Sequence, residues 1–133
     1  MTFNHIALEQ KEQMPIAFTA LSKRNFFMKE QICTFTLKQG YTPLNPFQAF
    51  GYFLNDTVDR NIIRRANNTL VGIAAELWIF GEVSDGVLAE IKQAKEQRKP
   101  IKYFKIIESK TFQQIPKEEV VMEDDVSMHR KLL

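Results

Sequence analysis

The stretch GEVSDGVLAE at residues 81–90 decides the predicted fold. It follows an apolar run, Glu76–Phe80, that is typical of a buried strand, and it leads into a helical pattern over residues 85–97. A strand that ends in a Ser/Gly turn and continues as a helix leaves free backbone N–H groups at the turn, beside the positive end of the helix dipole. Phosphate and carboxylate groups bind readily at such turns. Glu90 lies one turn into the helix, so we expect its carboxylate to face back toward the turn.

Strand and helix patterns alternate along the rest of the chain. Apolar runs at residues 14–21, 41–44 and 101–104 predict three further strands, the last with an extension to residue 107. Because helical patterns separate the strands, we expect right-handed crossovers and a parallel sheet. The sequence therefore predicts an α/β fold, a Rossmann-like or flavodoxin-like three-layer sandwich. Its parallel sheet has four or five strands, in the order 2-1-3-4 with or without a fifth.

Helix signals occupy the segments between the predicted strands. The first helix ends at Gly40, which suits a left-handed C-cap. A short helix is predicted over residues 47–53, and a longer one extends through Val71. The side chains that offer N-caps for the first and the longer helix are Ser22 or Asn25, and Asn55 or Asp56.

The turns that follow the first three strands define the candidate binding site. Parallel α/β sheets bind ligands in the crevice beyond the carboxyl ends of their strands. The turns at residues 19–22, 45–47 and 81–86 would converge on one such crevice. The candidate binding residues in these turns are Thr19, Ser22, Asn45, Phe47, Ser84, Asp85 and Gly86.

A resemblance to a known superfamily rests on the same stretch. The pattern Ser84-x-Gly86-Val87-x-x-Glu90, followed by Ala94 and by Lys99-Pro100-Ile101, resembles the nucleoside 2-deoxyribosyltransferase-like superfamily. That superfamily includes nucleoside deoxyribosyltransferases and nucleotide N-glycosidases. The likeness covers residues 14–104, and from residue 40 to residue 104 the chain is similar to small uncharacterised bacterial and phage-type proteins of this fold.

The resemblance implies roles for individual residues. Glu90 would be the nucleophile that attacks the anomeric carbon, and Asp59 would orient it or protonate the leaving base. Ser84 and the adjacent backbone would hold a 5′-phosphate. The residues alone leave other roles open, namely a solvated Glu90, a first-turn acid at Asp59 or Asp85, and a simple N-cap at Ser84. Asp85 is alternatively an acceptor for a ribose hydroxyl. Glycosyl transfer by a carboxylate requires no metal or organic cofactor.

Two departures from the superfamily pattern keep other classes of function open. Ala75 stands just before the third strand, where many relatives carry an acidic residue. The turn at residues 19–22 contains no glycine, and Cβ atoms obstruct the approach of a phosphate to the backbone. An enzyme of N-glycosidic chemistry, a non-catalytic nucleotide-binding module and an oligomeric regulatory protein are therefore all compatible with the sequence.

Two groups of side chains each allow more than one interpretation. Arg60, Arg64 and Arg65 on the long helix either clamp a phosphate or form an exposed basic face, and charge runs favour the exposed face. The second group is an aromatic cluster, with three interpretations: its rings stack on a nucleobase, cover the end of the sheet or contact another subunit. The aromatic residues of this cluster are Phe47, Phe50, Tyr52 and Phe53, whereas Trp78 on the third strand is expected in the core.

Composition limits the class of protein. The chain has 133 residues, which predicts one domain, and its net charge of +2 gives no argument for binding a nucleic acid polymer. The single cysteine, Cys33, is predicted to be a core thiol and fits a reducing cytoplasm. His5 and His129 lie far apart in sequence near the two ends, so no histidine metal site is expected. No apolar run is close to the length of a membrane-spanning helix, which is about 20 residues.

The predicted domain covers residues 14–107, between an N-terminal extension at 1–13 and a C-terminal tail at 108–133. The tail is interpreted as surface-lying or partly disordered, with the alternative that residues 120–122 form an edge strand or dock on a partner subunit. The 11 phenylalanines exceed what one small core needs, so we expect a homo-oligomer. The expected ligand is a nucleoside or nucleotide.

Overall fold

The computed structural model describes residues 1–51, 57–108 and 111–133. The strands are β1 (Ile16–Leu21), β2 (Thr42–Leu44), β3 (Glu76–Phe80), β4 (Ile101–Glu108) and β5 (Thr111–Ile115). The α-helices are α1 (Lys29–Lys38), α2 (Pro46–Phe50), α3 (Arg60–Ile73) and α4 (Asp85–Glu96), and 3₁₀ helices cover Ile6–Glu9, Lys23–Met28, Lys117–Glu119 and Asp124–Leu132. Tyr52, Phe53, Asn55 and Asp56, which the sequence analysis singled out, lie outside the described residues.

The described strands form a five-stranded sheet in the order β2-β1-β3-β4-β5. β1 pairs in parallel with β2 and β3, and β3 pairs in parallel with β4. The predicted α/β fold and the strand order 2-1-3-4 are thereby confirmed. The fifth strand runs antiparallel to β4, because residues 109–110 alone separate the two strands and cannot form the crossover that a parallel pair needs.

Both faces of the central strands β1 and β3 are buried, which explains their nearly uninterrupted apolar runs. Along β3, Leu77 and Ile79 belong to the apolar cluster that includes residues of α3 and α4, whereas Trp78 and Phe80 belong to the cluster that includes residues of α1. Each of these four side chains is at most 1 % exposed. The predicted core position of Trp78 is therefore confirmed, and the central place of β3 fixes the turn that follows it.

Side-chain caps set where α2, α3 and α4 begin, whereas α1 has none and its predicted cap Ser22 begins the 3₁₀ helix Lys23–Met28 instead. Ser84 Oγ accepts a hydrogen bond from the backbone N–H of Val87 at 3.3 Å and begins α4, as predicted. Gly40 follows α1 with a φ of 86°, as expected of a C-cap glycine. The predicted N-cap of the long helix is wrong, because the Asp59 carboxylate accepts from the N–H of Asn61 at 2.8 Å and begins α3 at Arg60.

The C-terminal residues are part of the folded domain. We call residues 116–133 the strap. Its side chains Val120, Met122, Val126 and Leu133 are between 3 and 8 % exposed and belong to the same apolar cluster as β3 and α4. The strap thus lies on the surface, which was one of the two predicted alternatives, and widely spaced apolar side chains anchor it in the core.

Backbone pairing holds the strap beside the turn after β3. Met122 forms an isolated parallel bridge with Val83. The Val83 N–H donates to Val121 O at 3.0 Å, and the Glu123 N–H donates to Val83 O at 2.9 Å. Residues 120–122 thus pair through a single isolated bridge and do not form the edge strand of the alternative prediction, and the bridge places Glu123 next to the N-terminus of α4.

Other segments lie at the surface. Residues 1–15 are exposed, including the short 3₁₀ helix Ile6–Glu9. Cys33, predicted in the core, is a half-buried free thiol on α1, and burial raises its pKa. None of the helices in the described ranges combines the length and the apolar character that crossing a membrane requires.

Candidate functional site

A cleft of about 940 Å³ opens beyond the carboxyl ends of the strands. Three of its walls come from the segments that follow β1, β2 and β3, and α3 and the strap complete it. The structure thus brings Ser22, Phe47 and the turn at residues 84–86 to one crevice, as the strand order predicted. The volume suits a small organic ligand.

Glu90 lines this cleft from the second turn of α4. Asn67 on α3 donates from Nδ2 to Glu90 Oε2 at 2.7 Å, which fixes the orientation of the carboxylate. Gly86 precedes Glu90 by one turn, and a Cβ added there would meet no atom within 4 Å. Asn67 therefore holds Glu90 by one carboxylate oxygen, and the space beside Gly86, one turn earlier in the helix, is open.

Burial raises the pKa of Glu90 to about 7, although the Asn67 hydrogen bond acts in the opposite direction. The residue keeps some solvent contact, as a residue of a cleft wall does, and neighbouring protein atoms partly desolvate its carboxyl group. Carboxyl groups that titrate near neutral pH concentrate at functional sites. Glu90 is thus the chemically most distinctive group of the cleft.

The raised pKa of Glu90 predicts a pH-dependent stability. The value exceeds the about 4.3 of a carboxyl group in an unfolded chain, so stability falls as the pH rises from about 4.3 to 7. We expect Glu90→Gln to be more stable than wild type at pH 8 by up to ~3 kcal/mol, since the amide has no charge to desolvate. Below pH 4 Glu90 is protonated in the folded and in the unfolded chain, so wild type and Glu90→Gln should have similar free energies of unfolding. Urea unfolding at both pH values measures this, and a pH-independent difference would contradict the raised pKa.

The N-terminus of α4 faces the cleft through residues 84–86. The Ser84 hydroxyl caps the N–H of Val87, and the Asp85 carboxylate accepts from the N–H of Gly86 at 2.7 Å. Two backbone donors that an anion would use at this turn are therefore bonded within the turn itself. The cap interpretation of Ser84 is confirmed, and Asp85 serves the first turn of the helix.

α3 contributes a basic wall. Arg60 and Arg64 line the cleft, and Arg64 Nη1 donates to Asn61 Oδ1 at 2.9 Å. Arg65, one position further along the helix, is exposed and is not among the lining residues. Of the three arginines, two are thus placed to meet a ligand that enters along α3.

The strap contributes acidic side chains that the sequence analysis missed. Glu123 and Asp125 both line the cleft. Ser22 Oγ donates to Glu123 Oε2 at 2.8 Å, and Arg24 Nε lies 3.9 Å from the same oxygen. In the sequence these carboxylates belong to the run 123-EDD-125, which is typical of a solvated surface. No local signal distinguishes the residue that turns inward.

Three predicted site residues lie apart from the cleft. Asp59 is an exposed helix cap, so it does not meet Glu90 there. Thr19 and Asn45 are buried behind the lining, where Asn45 Nδ2 donates to Thr19 Oγ1 at 3.0 Å. Asn45 Oδ1 also accepts from the Phe47 N–H at 2.9 Å. Thr19 and Asn45 therefore position α2 against β1, and Phe47 is the residue of that group that reaches the cleft.

α2 gives the cleft an aromatic side. Phe47 and Phe50 are partly exposed and line it, and the ring of Phe26 lies 6.3 Å from that of Phe47 between centroids. Rings of this kind suit the face of a planar base. The other two residues of the predicted aromatic cluster, Tyr52 and Phe53, fall outside the described part of the chain.

The fold and the cleft define the class of protein. It is an α/β protein with a ligand-sized crevice at the carboxyl ends of its strands, lined by cations, carboxylates and aromatic rings. In residues 1–51, 57–108 and 111–133, no three His, Cys, Asp or Glu side chains gather in a way that would hold a metal ion.

The chain belongs to the DUF7768 family, a domain of unknown function, whose family model matches residues 11–104. Comparisons with curated proteins and with solved structures found no match. The matched range contains the turn at 84–86 and Glu90, and it ends before β5 and the strap.

Proposed function

We propose that the protein acts on the N-glycosidic bond of nucleosides or nucleotides, by hydrolysis or by deoxyribosyl transfer, with Glu90 as the nucleophile. The observation that carries this proposal is the desolvated Glu90 carboxyl group in a cleft of about 940 Å³. Nucleophilic carboxylates are an established solution for glycosyl transfer. The resemblance of residues 84–90 to the nucleoside 2-deoxyribosyltransferase-like superfamily supports the same chemistry.

In the proposed reaction, the Glu90 carboxylate attacks C1′ while the C1′–N bond breaks, and the departing base leaves with the bonding electrons and takes up a proton from solvent, which the attacking water or second base returns in the next step. Water then opens the glycosyl ester, or a second base does so in a transferase, and the carboxylate is restored. Asn67 holds one carboxylate oxygen and so directs the other toward the ligand. With a pKa of about 7, much of the protein carries the nucleophilic form at neutral pH.

A ligand pose follows from the walls of the cleft. The base would lie against the rings of Phe47 and Phe50, and the sugar would lie beside Glu90 in the space next to Gly86. Gly86, one turn before Glu90, lines the cleft and carries no side chain, so nothing at that position separates the anomeric carbon from the carboxylate.

The test is release of free base by the wild-type protein. A panel of purine and pyrimidine nucleosides, 2′-deoxynucleosides and their 5′-monophosphates is incubated with the protein and separated by liquid chromatography. Free base, or a new nucleoside when a second base is added, is the expected product. If no member of the panel yields base, the enzyme proposal fails.

One observation favours a second candidate, a non-catalytic nucleoside- or nucleotide-binding module. The partner of the Glu90 carboxylate is the neutral amide of Asn67, and Asp59 lies outside the cleft, so the base-protonating acid implied by the resemblance is not there. Calorimetric binding of a panel member without release of base would replace the enzyme by this sensor.

We also propose that the protein is a homo-oligomer in the reducing cytoplasm. α3 leaves Ile62 and Ile73 at 56 and 60 % exposure, and the free thiol of Cys33 suits a reducing compartment. Light scattering should give a multiple of the chain mass of 15.5 kDa. A monomer mass at micromolar concentration would contradict the oligomer.

A further inference from the structure

The strap carries a carboxylate to the part of the cleft where a ligand phosphate would be expected. Glu123 Oε2 accepts from Ser22 Oγ at 2.8 Å and lies 3.9 Å from Arg24 Nε, and its side chain is 11 % exposed. Its backbone N–H donates to Val83, the residue before the N-cap Ser84. The carboxylate therefore lies between the end of β1 and the turn that begins α4. Its partners, a hydroxyl and a guanidinium, are those that a phosphate uses.

The turn itself offers few donors to an anion. The Val87 N–H is bonded to Ser84 Oγ, and the Gly86 N–H is bonded to the Asp85 carboxylate. A phosphate at the N-terminus of α4 would have to displace these bonds, and it would do so beside a carboxylate. The helix dipole alone does not offset the loss of these hydrogen bonds and the repulsion by the carboxylate, because its effect is about 0.3–1 kcal/mol at an exposed terminus.

The charged side chains near the N-terminus of α4 also oppose the binding of a phosphate. Three lining carboxylates, those of Asp85, Glu123 and Asp125, face two lining cations, Lys23 and Arg24. The side chain of Arg24 is 71 % exposed and already lies near Glu123. The other two cations of the cleft belong to α3, on a different wall. A doubly charged phosphate at the N-terminus of α4 would therefore add its charge to those of the Asp85 and Glu123 carboxylates.

We propose that Glu123 is the specificity-determining residue of the cleft. Its carboxylate takes the place of a ligand phosphate, excludes a 5′-phosphate and accepts a hydrogen bond from a sugar hydroxyl. Of the two ligand classes named above, the cleft accordingly takes nucleosides. The preference for nucleosides rests on the proposed function. The exclusion of phosphate does not, because it concerns binding and not the cleavage of a bond.

The first experiment uses inorganic phosphate as the probe. Phosphate is titrated at pH 7 into ¹⁵N-labelled protein, and the amide signals of residues 84–87 are followed. We expect weak binding to wild type and about tenfold tighter binding to Glu123→Gln, in which the amide oxygen still accepts from Ser22 while the charge is gone. Equal affinity of wild type and Glu123→Gln for phosphate would overturn the proposal.

Matched variants separate the position of the charge from the net charge. Glu119→Gln makes the same change at an exposed position of the strap and should bind phosphate as wild type does. Glu123→Asp keeps the charge and should also resemble wild type. An equal gain in Glu119→Gln would overturn the proposal. The amide signal of Val126 reports whether Glu123→Gln releases the strap. If it does, Asp125→Asn replaces Glu123→Gln as the test variant. We expect a smaller gain in phosphate affinity for Asp125→Asn, and no gain would overturn the proposal.

The second experiment measures ligand choice by calorimetry, with a purine nucleoside and its 5′-monophosphate. Wild type should prefer the nucleoside, and Glu123→Gln should reduce that preference by about tenfold. Preference for the monophosphate in wild type would overturn the specificity role while leaving the glycosidic chemistry intact. Preference for the nucleoside without release of base would overturn the chemistry and support the role of Glu123.

Discussion

Glu90→Gln is expected to lower the rate of base release by about 10³-fold or more while leaving nucleoside affinity within a few-fold of wild type. The amide has the shape of the acid and keeps an acceptor for Asn67 Nδ2. It cannot, however, form the glycosyl ester. The loss should therefore appear in kcat rather than in KM. Single-turnover and steady-state assays on the nucleoside with the highest wild-type rate measure the two parameters.

A matched control for this experiment lies on the same helix. Glu96 is exposed at the C-terminal end of α4, so Glu96→Gln should keep the wild-type rate. The wild-type rate should rise as the pH passes through about 7, because the carboxylate form of Glu90 accumulates there. A Glu90→Gln variant that retains more than a tenth of the wild-type kcat would show that Glu90 is not the nucleophile.

Ending the chain after residue 115 is expected to unfold the protein or leave it close to unfolding. The truncation removes Val120, Met122, Val126 and Leu133 from the larger apolar cluster, and each is at most 8 % exposed. A buried side chain of this size contributes about 1.5–3 kcal/mol, and the whole domain is stable by about 5–15 kcal/mol. Circular dichroism during urea unfolding measures the loss.

The opposite end of the chain supplies the control for this truncation. Residues 1–13 are exposed, so their removal should shift the urea midpoint little. A chain that ends at residue 115 and keeps the wild-type midpoint would show that the strap is dispensable for the core. The contrast between the two truncations is the readout, since the deleted C-terminal segment has four buried apolar side chains and the deleted N-terminal segment has none.

The sheet was predictable because its signals are local. The run Glu76–Phe80 is apolar on both faces, and the structure buries it between two layers at the centre of the sheet. Likewise, the Ser84 cap follows from the residue type at the start of a helical pattern. Where a residue and its immediate neighbours determine the structure, the sequence alone was sufficient.

The rest of the site depends on distant partners. The raised pKa of Glu90 comes from burial in the folded protein, and Asn67, whose hydrogen bond acts in the opposite direction, lies 23 positions earlier in the chain. The buried side chains of the strap, at positions 120, 122, 126 and 133, are unevenly spaced, and Val126 alone among them lies within a 3₁₀ helix, so they follow no helical or strand period. Asp59 was placed inside a helix that in fact begins after it. Each of these facts arises from tertiary packing.

The strap also separates two properties along the chain. The carboxyl group proposed for bond cleavage lies within residues 11–104, the range that defines the family, whereas Glu123 and Asp125 lie beyond that range. Exchange of residues 120–126 for another sequence with the same buried positions would therefore alter which ligands enter without altering the reacting group. Under the two proposals above, the reacting group and the residue that selects the ligand thus belong to separate parts of the chain, one inside and one outside the range that the family model matches.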